Sequence, residues 1–357
     1  MGGEQPPYGV TGARGMGGGE PPMLGSCPRG KQSGILGNVS NLDPAPQPVS
    51  LRADVVHAVD VLEARKAAIG DGTEVRRLLP QRVLRTVGAW CFLDHYGPDD
   101  TSAGPGMQVP PHPHIGLQTA SWLFEGLVLH RDSLGSTQLI RPGELNLMTS
   151  GRGIAHSEES PADRPALLHG VQLWIALPGD HRFTEPDFAH HADLPVIKTG
   201  GARITVVAGE HAGERSPATV FSPLVGLEVR LTDGGAVTLP ATEGFEYGVM
   251  AADGPAGVAC PVVADSPARI EPGRLAHLPV GVPSITLTAP GPCRFFVVGG
   301  APLGERLIMW WNFVARTAEE IVTARDAWAA GVFGAVRGYA GEPLAAPPLP
   351  PGGLKAR

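Results

Sequence analysis

Short apolar segments separated by turn-forming residues recur through the middle of the chain. Gly, Pro and Asp interrupt the chain between them, a pattern typical of antiparallel strands in β-barrels and β-sandwiches. The pattern therefore predicts an all-β fold. The predicted strands cover residues 120–124, 127–130, 138–140, 145–148, 168–177, 203–208, 224–231, 236–239, 285–287 and 294–298.

A short internal repeat suggests that the strands form two similar units. The sequence IRPGEL at 140–145 resembles IEPGRL at 270–275, an offset of 130 residues. In both copies Pro-Gly predicts a tight turn between two strands. The offset fits two β-barrels of about 120 residues each, a usual size for small domains.

One helix is predicted near the end of the chain. Thr317 is a good N-cap, Glu320 stands at the position that completes a capping box, and Gly331 is a plausible end. Apolar residues then recur at helical spacing, so one face of the helix should pack on a barrel. That face holds Ile321, Ala324 and Trp328.

Composition divides the chain further. The first 50 residues contain 12 Gly and 8 Pro with no periodic apolar segment, and we expect residues 1–50 to be a disordered extension. We expect one barrel in residues 51–180 and a second in residues 181–300. A helical segment at 301–335 and a Pro-rich tail at 336–357 should follow.

Charge and cysteine usage exclude several classes of protein. The net charge is −7, which argues against a dedicated nucleic-acid surface because phosphate binding needs a basic field. Cys27, Cys91, Cys260 and Cys293 form no CxxC pair, which excludes a disulfide framework or a cysteine-rich zinc module. Reduced cysteines, no long apolar run and no signal-peptide core together predict a cytoplasmic protein without a membrane span.

Two short clusters carry candidate chemistry. His112 and His114 are two residues apart, and so are His156 and Glu158. In a strand, residues at this spacing point to the same face, so two neighbouring strands would bring three imidazoles and a carboxylate together. Such a set suits a divalent transition metal. A lone His-x-His is more often a pair of solvated or core histidines, and the second cluster is what favours the metal.

Other residues have both a functional and a plain structural interpretation. Arg152 is either an attractor for an anionic substrate or a surface residue. His169 and Gln172 either reach the cavity or are ordinary strand residues, and we expect His95 to be structural and Asp94 to cap a turn. Four large side chains are either an aromatic pocket or, more simply, barrel core: Trp122, Phe124, Met148 and Trp174.

Much of the chain, roughly residues 51–330, resembles the pirin family of the cupin superfamily. The residues that carry the resemblance are VRRLLPQRVLRTVGAWCFLDHYGP (75–98), VPPHPHIGLQTASWLFEG (109–126), HRDSLGSTQLIRPGELNLMTSGRGIAHSEE (130–159), LHGVQLWIALP (168–178) and WWNFVARTAEEI (310–321). The resemblance implies a bicupin of two face-to-face antiparallel β-barrels with a C-terminal helix, and metal in the first barrel only.

The resemblance also implies the site and its chemistry. The family's metal ligands fall on His112, His114, His156 and Glu158, and the expected metal is one Fe²⁺. Family members that open flavonols such as quercetin with O2 suggest a dioxygenase in which Glu158 takes the substrate proton. The alternative is an iron-containing, redox-sensitive regulator that binds a transcription factor or metabolic enzyme. Either protein is expected to be a monomer. Many cupins have a Glu four residues after the second His, where this chain has Gln118.

Overall fold

The computed structural model describes residues 59–70, 72–262 and 267–354, and these form strands and one α-helix. The predicted disordered extension at 1–50 and Cys27 lie outside these residues. The first strands are β1 (Asp60–Glu63), β2 (Arg65–Ile69), β3 (Thr73–Leu79), β4 (Trp90–Asp100), β5 (Gln108–His114), β6 (Leu117–Glu125), β7 (Val128–Asp132), β8 (Thr137–Ile140), β9 (Leu145–Thr149), β10 (Ile154–Glu159), β11 (Leu167–Ala176) and β12 (Asp187–His191).

The remaining elements follow in the same alternation of strand and turn. They are β13 (Val196–Thr199), β14 (Ala202–His211), β15 (Glu214–Arg215), β16 (Leu224–Leu231), β17 (Gly235–Pro240), β18 (Glu246–Ala251), β19 (Ala256–Ala259), β20 (Ala268–Ile270), β21 (Arg274–Leu278), β22 (Ser284–Ala289), β23 (Cys293–Gly300), β24 (Ile308–Trp310), β25 (Phe313–Ala315) and α1 (Ala318–Ala329). The predicted all-β fold is confirmed.

Each half of the chain forms a barrel from one large and one small antiparallel sheet. In the N-terminal barrel a seven-stranded sheet, β12-β9-β6-β11-β4-β3-β2, lies with a four-stranded sheet, β5-β10-β7-β8. In the C-terminal barrel the large sheet has the order β1-β21-β18-β23-β16-β14-β13, with β15 on β14, and the small sheet is β17-β22-β19-β20. This arrangement confirms two similar β-units.

The two large sheets share an apolar seam. Outward-facing side chains of the N-terminal sheet, such as Trp90 and Trp122, pack in one buried cluster with Met250 and Phe296 of the C-terminal sheet. The Trp90 indole also donates from Nε1 to the carbonyl oxygen of Gly299 at 3.1 Å. Burial of large aromatic side chains contributes strongly to stability, so this seam holds the two barrels together.

Two strands cross between the halves. β1 pairs with β21 of the C-terminal barrel, although it lies in the span 51–180 that we assigned to the N-terminal barrel. β12 pairs with β9 of the N-terminal barrel, although it lies beyond residue 180. Each barrel therefore borrows an edge strand from the other half of the chain, which leaves fewer open sheet edges.

The sequence predicted ten strand segments, fewer than half of the 25 strands in the described residues. Each of the predicted segments overlaps an observed strand, and Gly143 and Gly273 of the two Pro-Gly turns have φ of 85° and 92°. The strand β4 was not predicted, because its sequence mixes apolar and polar residues. The expectation that Asp94 caps a turn is wrong. Asp94 is fully buried within β4, where Arg77 on the adjacent strand β3 donates to both carboxylate oxygens at 2.8 and 2.7 Å.

The helix begins and ends where the sequence indicates. Thr317 is the N-cap and its side chain accepts from the backbone N–H of Glu320 at 3.3 Å. The Glu320 carboxylate accepts from the backbone N–H of Arg316 at 3.0 Å, so only half of the capping box forms. Gly331, with φ of 72°, follows the end of α1. No helix in the described part of the chain is long and apolar enough to cross a membrane.

The segment that follows the helix returns to the N-terminal barrel. Residues 341–354, here called the C-terminal strap, contain neither helix nor strand. Side chains of the strap, including Leu344 and Leu349, pack against a cluster that also holds Trp310, Phe313 and Trp328. The predicted packing of the Trp328 face is therefore confirmed, and the strap covers part of the same cluster.

The seam allows a matched test of its hydrogen bond. Trp90 and Trp122 are both fully buried there, but the Nε1 of Trp122 has no hydrogen-bond partner among the described residues. Trp90→Phe should lower the free energy of unfolding by about 1 kcal/mol more than Trp122→Phe, because only the first change breaks a hydrogen bond. Urea denaturation measures both variants, and equal losses would contradict a role for the Trp90–Gly299 bond.

Candidate metal centre

The two predicted ligand pairs lie on neighbouring strands. His112 and His114 are on β5, His156 and Glu158 are on β10, and His156 stands directly opposite His112 in the antiparallel register. The Nε2 atoms of His114 and His156 are 3.0 Å apart, and the ring of His112 is 4.4 Å from that of His156. The alternation of side chains in the strands therefore gathers three buried imidazoles inside the barrel.

Glu158 reaches the same cavity through a local irregularity. The register between β10 and β5 shifts after His156, which places Glu158 opposite Val109. Its Oε1 accepts from the Ser121 hydroxyl at 2.8 Å. Possible ligand atoms form two overlapping groups, each within 4.8 Å: one of His112, His114 and His156, and one of His130, His156 and Glu158.

Backbone carbonyls fix the tautomers of the first two histidines. The Nδ1 of His112 is 2.8 Å from the carbonyl oxygen of Pro110, and that of His114 is 2.9 Å from the carbonyl oxygen of Asn312. A carbonyl oxygen only accepts, so both Nδ1 atoms carry the proton and donate. The lone pair on each Nε2 is left free to face the cavity, as metal ligation requires.

His130 and Asp132, which the sequence analysis missed, fix the tautomer of His156. His130 Nδ1 is 3.4 Å from His156 Nδ1, and His130 Nε2 is 3.1 Å from the Asp132 carboxylate. Asp132 accepts from His130 Nε2–H, so His130 Nδ1 accepts from His156 Nδ1–H and leaves His156 Nε2 free. The missed signal is His-x-Asp on β7, the same two-residue spacing that marks the ligands.

Burial sets the protonation of the cluster. It lowers the pKa of His112 to about 4, and together with the neighbouring imidazoles it holds the pKa of His114 and His156 well below the usual value. Burial raises the pKa of Glu158, although the nearby His130 and the Ser121 hydrogen bond oppose that shift. The three imidazoles are therefore neutral at neutral pH, the form in which histidine binds metals.

The cavity beside the imidazoles is small and partly aromatic. Phe92 and Trp174 stack with ring centroids 4.0 Å apart, and the Trp174 ring meets the His114 ring edge-on at 5.1 Å. The amide side chains of Gln172 and Asn312 also line the cavity, whose free volume is about 50 Å³. The remaining lining residues are Ile69, Arg77, Val109, His112, His156, Glu158 and Leu344.

The side chains of β6 and β11 alternate between two faces, which divides the other candidate residues into those that line the cavity and those that do not. Trp174 and Gln172 point inward and line the cavity, whereas Trp122 and Phe124 belong to the apolar seam between the large sheets. Met148 is buried in β9 and does not line this cavity. For Trp122, Phe124 and Met148 the plain structural interpretation holds.

The remaining polar candidates lie outside the cavity. His95 and His169 pair with each other, with their Nε2 atoms 2.8 Å apart, and neither lines the cavity. Arg152 is exposed and forms an ion pair with Glu185. Gln118 donates from its amide to the hydroxyl of Thr149 and the carbonyl oxygen of Thr219, at 2.9 and 3.0 Å.

The donor set fits a divalent transition metal. Three neutral imidazoles and a carboxylate, with no thiolate, match the sites of first-row ions rather than closed, cysteine-rich zinc sites. Within the described ranges, both groups of side chains with ligand-like spacing lie in the N-terminal barrel. The interior of the C-terminal barrel is filled by an apolar cluster that includes Val229, Leu287 and Phe295.

Comparisons with known proteins agree with this architecture. The family model described as Pirin matches residues 72–175, and the model described as Pirin C-terminal cupin domain matches residues 226–334. A Pseudomonas aeruginosa protein named "Putative quercetin 2,3-dioxygenase" is 44% identical over 82% of this chain and 91% of its own length. Human pirin is 31% identical over 73% of this chain and 88% of its own length.

A solved structure shows the same fold. The crystal structure of a quercetin 2,3-dioxygenase from Acinetobacter baumannii superposes with a TM-score of 0.79 at 42% identity. The superposition covers 84% of this chain and 97% of the Acinetobacter baumannii chain. The likeness extends over both barrels, and the predicted bicupin fold is confirmed. This chain belongs to the pirin family of cupin proteins.

Proposed function

We propose that this chain is a metal-dependent dioxygenase that opens a flavonol ring with O2 at the cluster of His112, His114, His156 and Glu158. The observation that carries the proposal is the convergence of three neutral imidazoles, each with its Nδ1 occupied, on one buried cavity. The similarity to proteins named as quercetin 2,3-dioxygenases supports the reaction class. Fe²⁺ is the proposed metal, since nitrogen and oxygen ligands without sulfur suit it.

The metal, when bound, would supply a Lewis acid for the deprotonated flavonol and for O2. The chain's own residues supply the acid–base chemistry and the shape. Glu158 Oε1 is held by Ser121, which leaves Oε2 to take the proton of the flavonol hydroxyl.

The cavity walls suit an aromatic molecule with polar groups. Trp174, backed by the stacked ring of Phe92, contributes an aromatic wall to the cavity. Gln172 and Asn312 offer amide groups to the oxygens of the substrate. In the overall reaction both atoms of O2 enter the ester product, and one ring carbon leaves with its oxygen as carbon monoxide.

The first test removes two ligands. His112→Ala/His156→Ala should reduce bound metal from about one per chain to near zero, and O2 uptake with quercetin should be lost with it. Metal analysis and an oxygen electrode measure both quantities on protein loaded with Fe²⁺. His181→Ala changes an exposed histidine and serves as the control. A metal-free double variant that still consumes O2 would contradict the proposal.

Metal binding without turnover in the wild type would favour the alternative function. The protein would then be a redox-sensitive regulator whose metal changes the affinity for a protein partner. The same metal analysis, combined with the absence of O2 uptake and of any loss of flavonol absorbance, separates the two functions. We expect uptake.

The second test addresses which ring nitrogen of His156 carries the proton. Asp132→Asn keeps an oxygen for the backbone N–H groups of Leu134 and Ser136, but it presents an NH2 group to His130. His130 then carries its proton on Nδ1, and the proton of His156 is forced onto Nε2, the atom that faces the cavity.

Metal affinity should consequently fall by about ten- to a hundredfold, the usual effect of losing a partner behind a ligating histidine. Competition with a chelator measures it. The control is Asp163→Asn, which changes an exposed carboxylate. If Asp132→Asn binds metal as tightly as the wild type, His130 does not determine which ring nitrogen of His156 carries the proton.

A further inference from the structure

The C-terminal strap passes over the metal cavity at one residue. The backbone N–H of Leu344 donates to the carbonyl oxygen of Pro111 at 2.8 Å, one residue before His112. The carbonyl oxygen of Leu344 accepts from Trp328 Nε1, also at 2.8 Å. Both backbone polar groups of Leu344 are therefore tied, and its side chain forms part of the cavity wall.

The free volume of the cavity decides what it can admit. At about 50 Å³ it holds a few water molecules or O2. Pockets that enclose drug-sized organic ligands have about 300–1,000 Å³. A flavonol, with its fused bicyclic system and third ring, therefore does not fit beside the imidazoles while Leu344 holds this position.

The strap is the wall that moves most easily. The lining residues on β2, β3, β4, β5, β10 and β11 are fixed by sheet hydrogen bonds. The strap lies outside these sheets and bonds to β5 through the backbone of Leu344, and its prolines at 343, 347, 348, 350 and 351 have no N–H to donate. Its apolar side chains are only partly buried, so detaching the strap costs less free energy than opening a strand.

We propose that Leu344 is a specificity-determining residue and that the C-terminal strap is a displaceable cover of the metal cavity. With the strap seated, the cavity admits only molecules of a few atoms. A planar polyphenol enters when Leu344 leaves the wall. The choice of a polyphenol rests on the proposed function, whereas the position of the cover rests on the contacts of Leu344 alone.

The test measures binding rather than turnover. Co²⁺-loaded protein is mixed with quercetin without oxygen, and with azide in a parallel series, and the rate of the absorbance change is recorded. Leu344→Ala removes the side chain from the cavity wall, and Trp328→Phe removes the donor that holds the Leu344 carbonyl. Val83→Ala is the control, because Val83 is exposed, lies outside the strap and does not line the cavity.

Leu344→Ala and Trp328→Phe should each speed the association of quercetin by about tenfold, a change that corresponds to about 1.4 kcal/mol. Val83→Ala should match the wild type, and azide should bind all four proteins at the same rate because it needs no opening. Equal quercetin rates in the wild type and Leu344→Ala would overturn the proposal, and so would equal acceleration of azide and quercetin.

The outcomes also separate this inference from the proposed function. If Leu344→Ala speeds quercetin binding but the Fe²⁺-loaded wild type consumes no O2 with quercetin, the dioxygenase proposal fails and the cover stands. If O2 is consumed and quercetin binding is unchanged in Leu344→Ala, the cover fails and the dioxygenase stands. Failure of quercetin to bind any of the four proteins overturns the cover as a gate for polyphenols.

Discussion

The candidate metal centre depends on keeping three buried imidazoles neutral with their Nε2 lone pairs facing one point. Burial, together with the neighbouring imidazoles, makes them neutral, because a charged ring is poorly solvated inside the barrel. Burial does not choose the tautomer, and that choice comes from the partner of each Nδ1. For His112 the partner is the carbonyl of Pro110 on the same strand, for His114 that of Asn312, and for His156 the His130 ring.

Strand alternation allows one sheet to serve both the site and the seam. On β11 the inward residues Gln172 and Trp174 line the cavity, while Val171 and Leu173 pack between the barrels. A one-residue slip of this strand would exchange the two sets and place polar side chains in the seam. The apolar seam and the polar cavity therefore specify the same register.

Sequence patterns predicted the parts of the site that depend on local spacing. The two-residue spacing within each pair, His112 with His114 and His156 with Glu158, predicted a shared face through strand geometry, and the second pair was what favoured a metal. Longer-range features had no local signal: the Arg77–Asp94 pair joins two strands, and Asp94 was taken for a turn residue. The strap was missed for a different reason, since Pro-rich composition excludes regular structure but does not exclude packing.

The C-terminal half completes the candidate metal centre, although all four proposed ligands lie in the N-terminal half. Asn312, which sets the tautomer of His114, lies 198 residues later in the chain. It stands in the turn between β24 and β25, and Val314 N–H donates to the Ile115 carbonyl at 3.1 Å. Gly116 permits this close approach, because a Cβ there would lie 2.1 Å from the Val314 carbonyl oxygen. The tautomer of one proposed ligand and one wall of the cavity therefore form only when the end of the chain has docked on the first barrel.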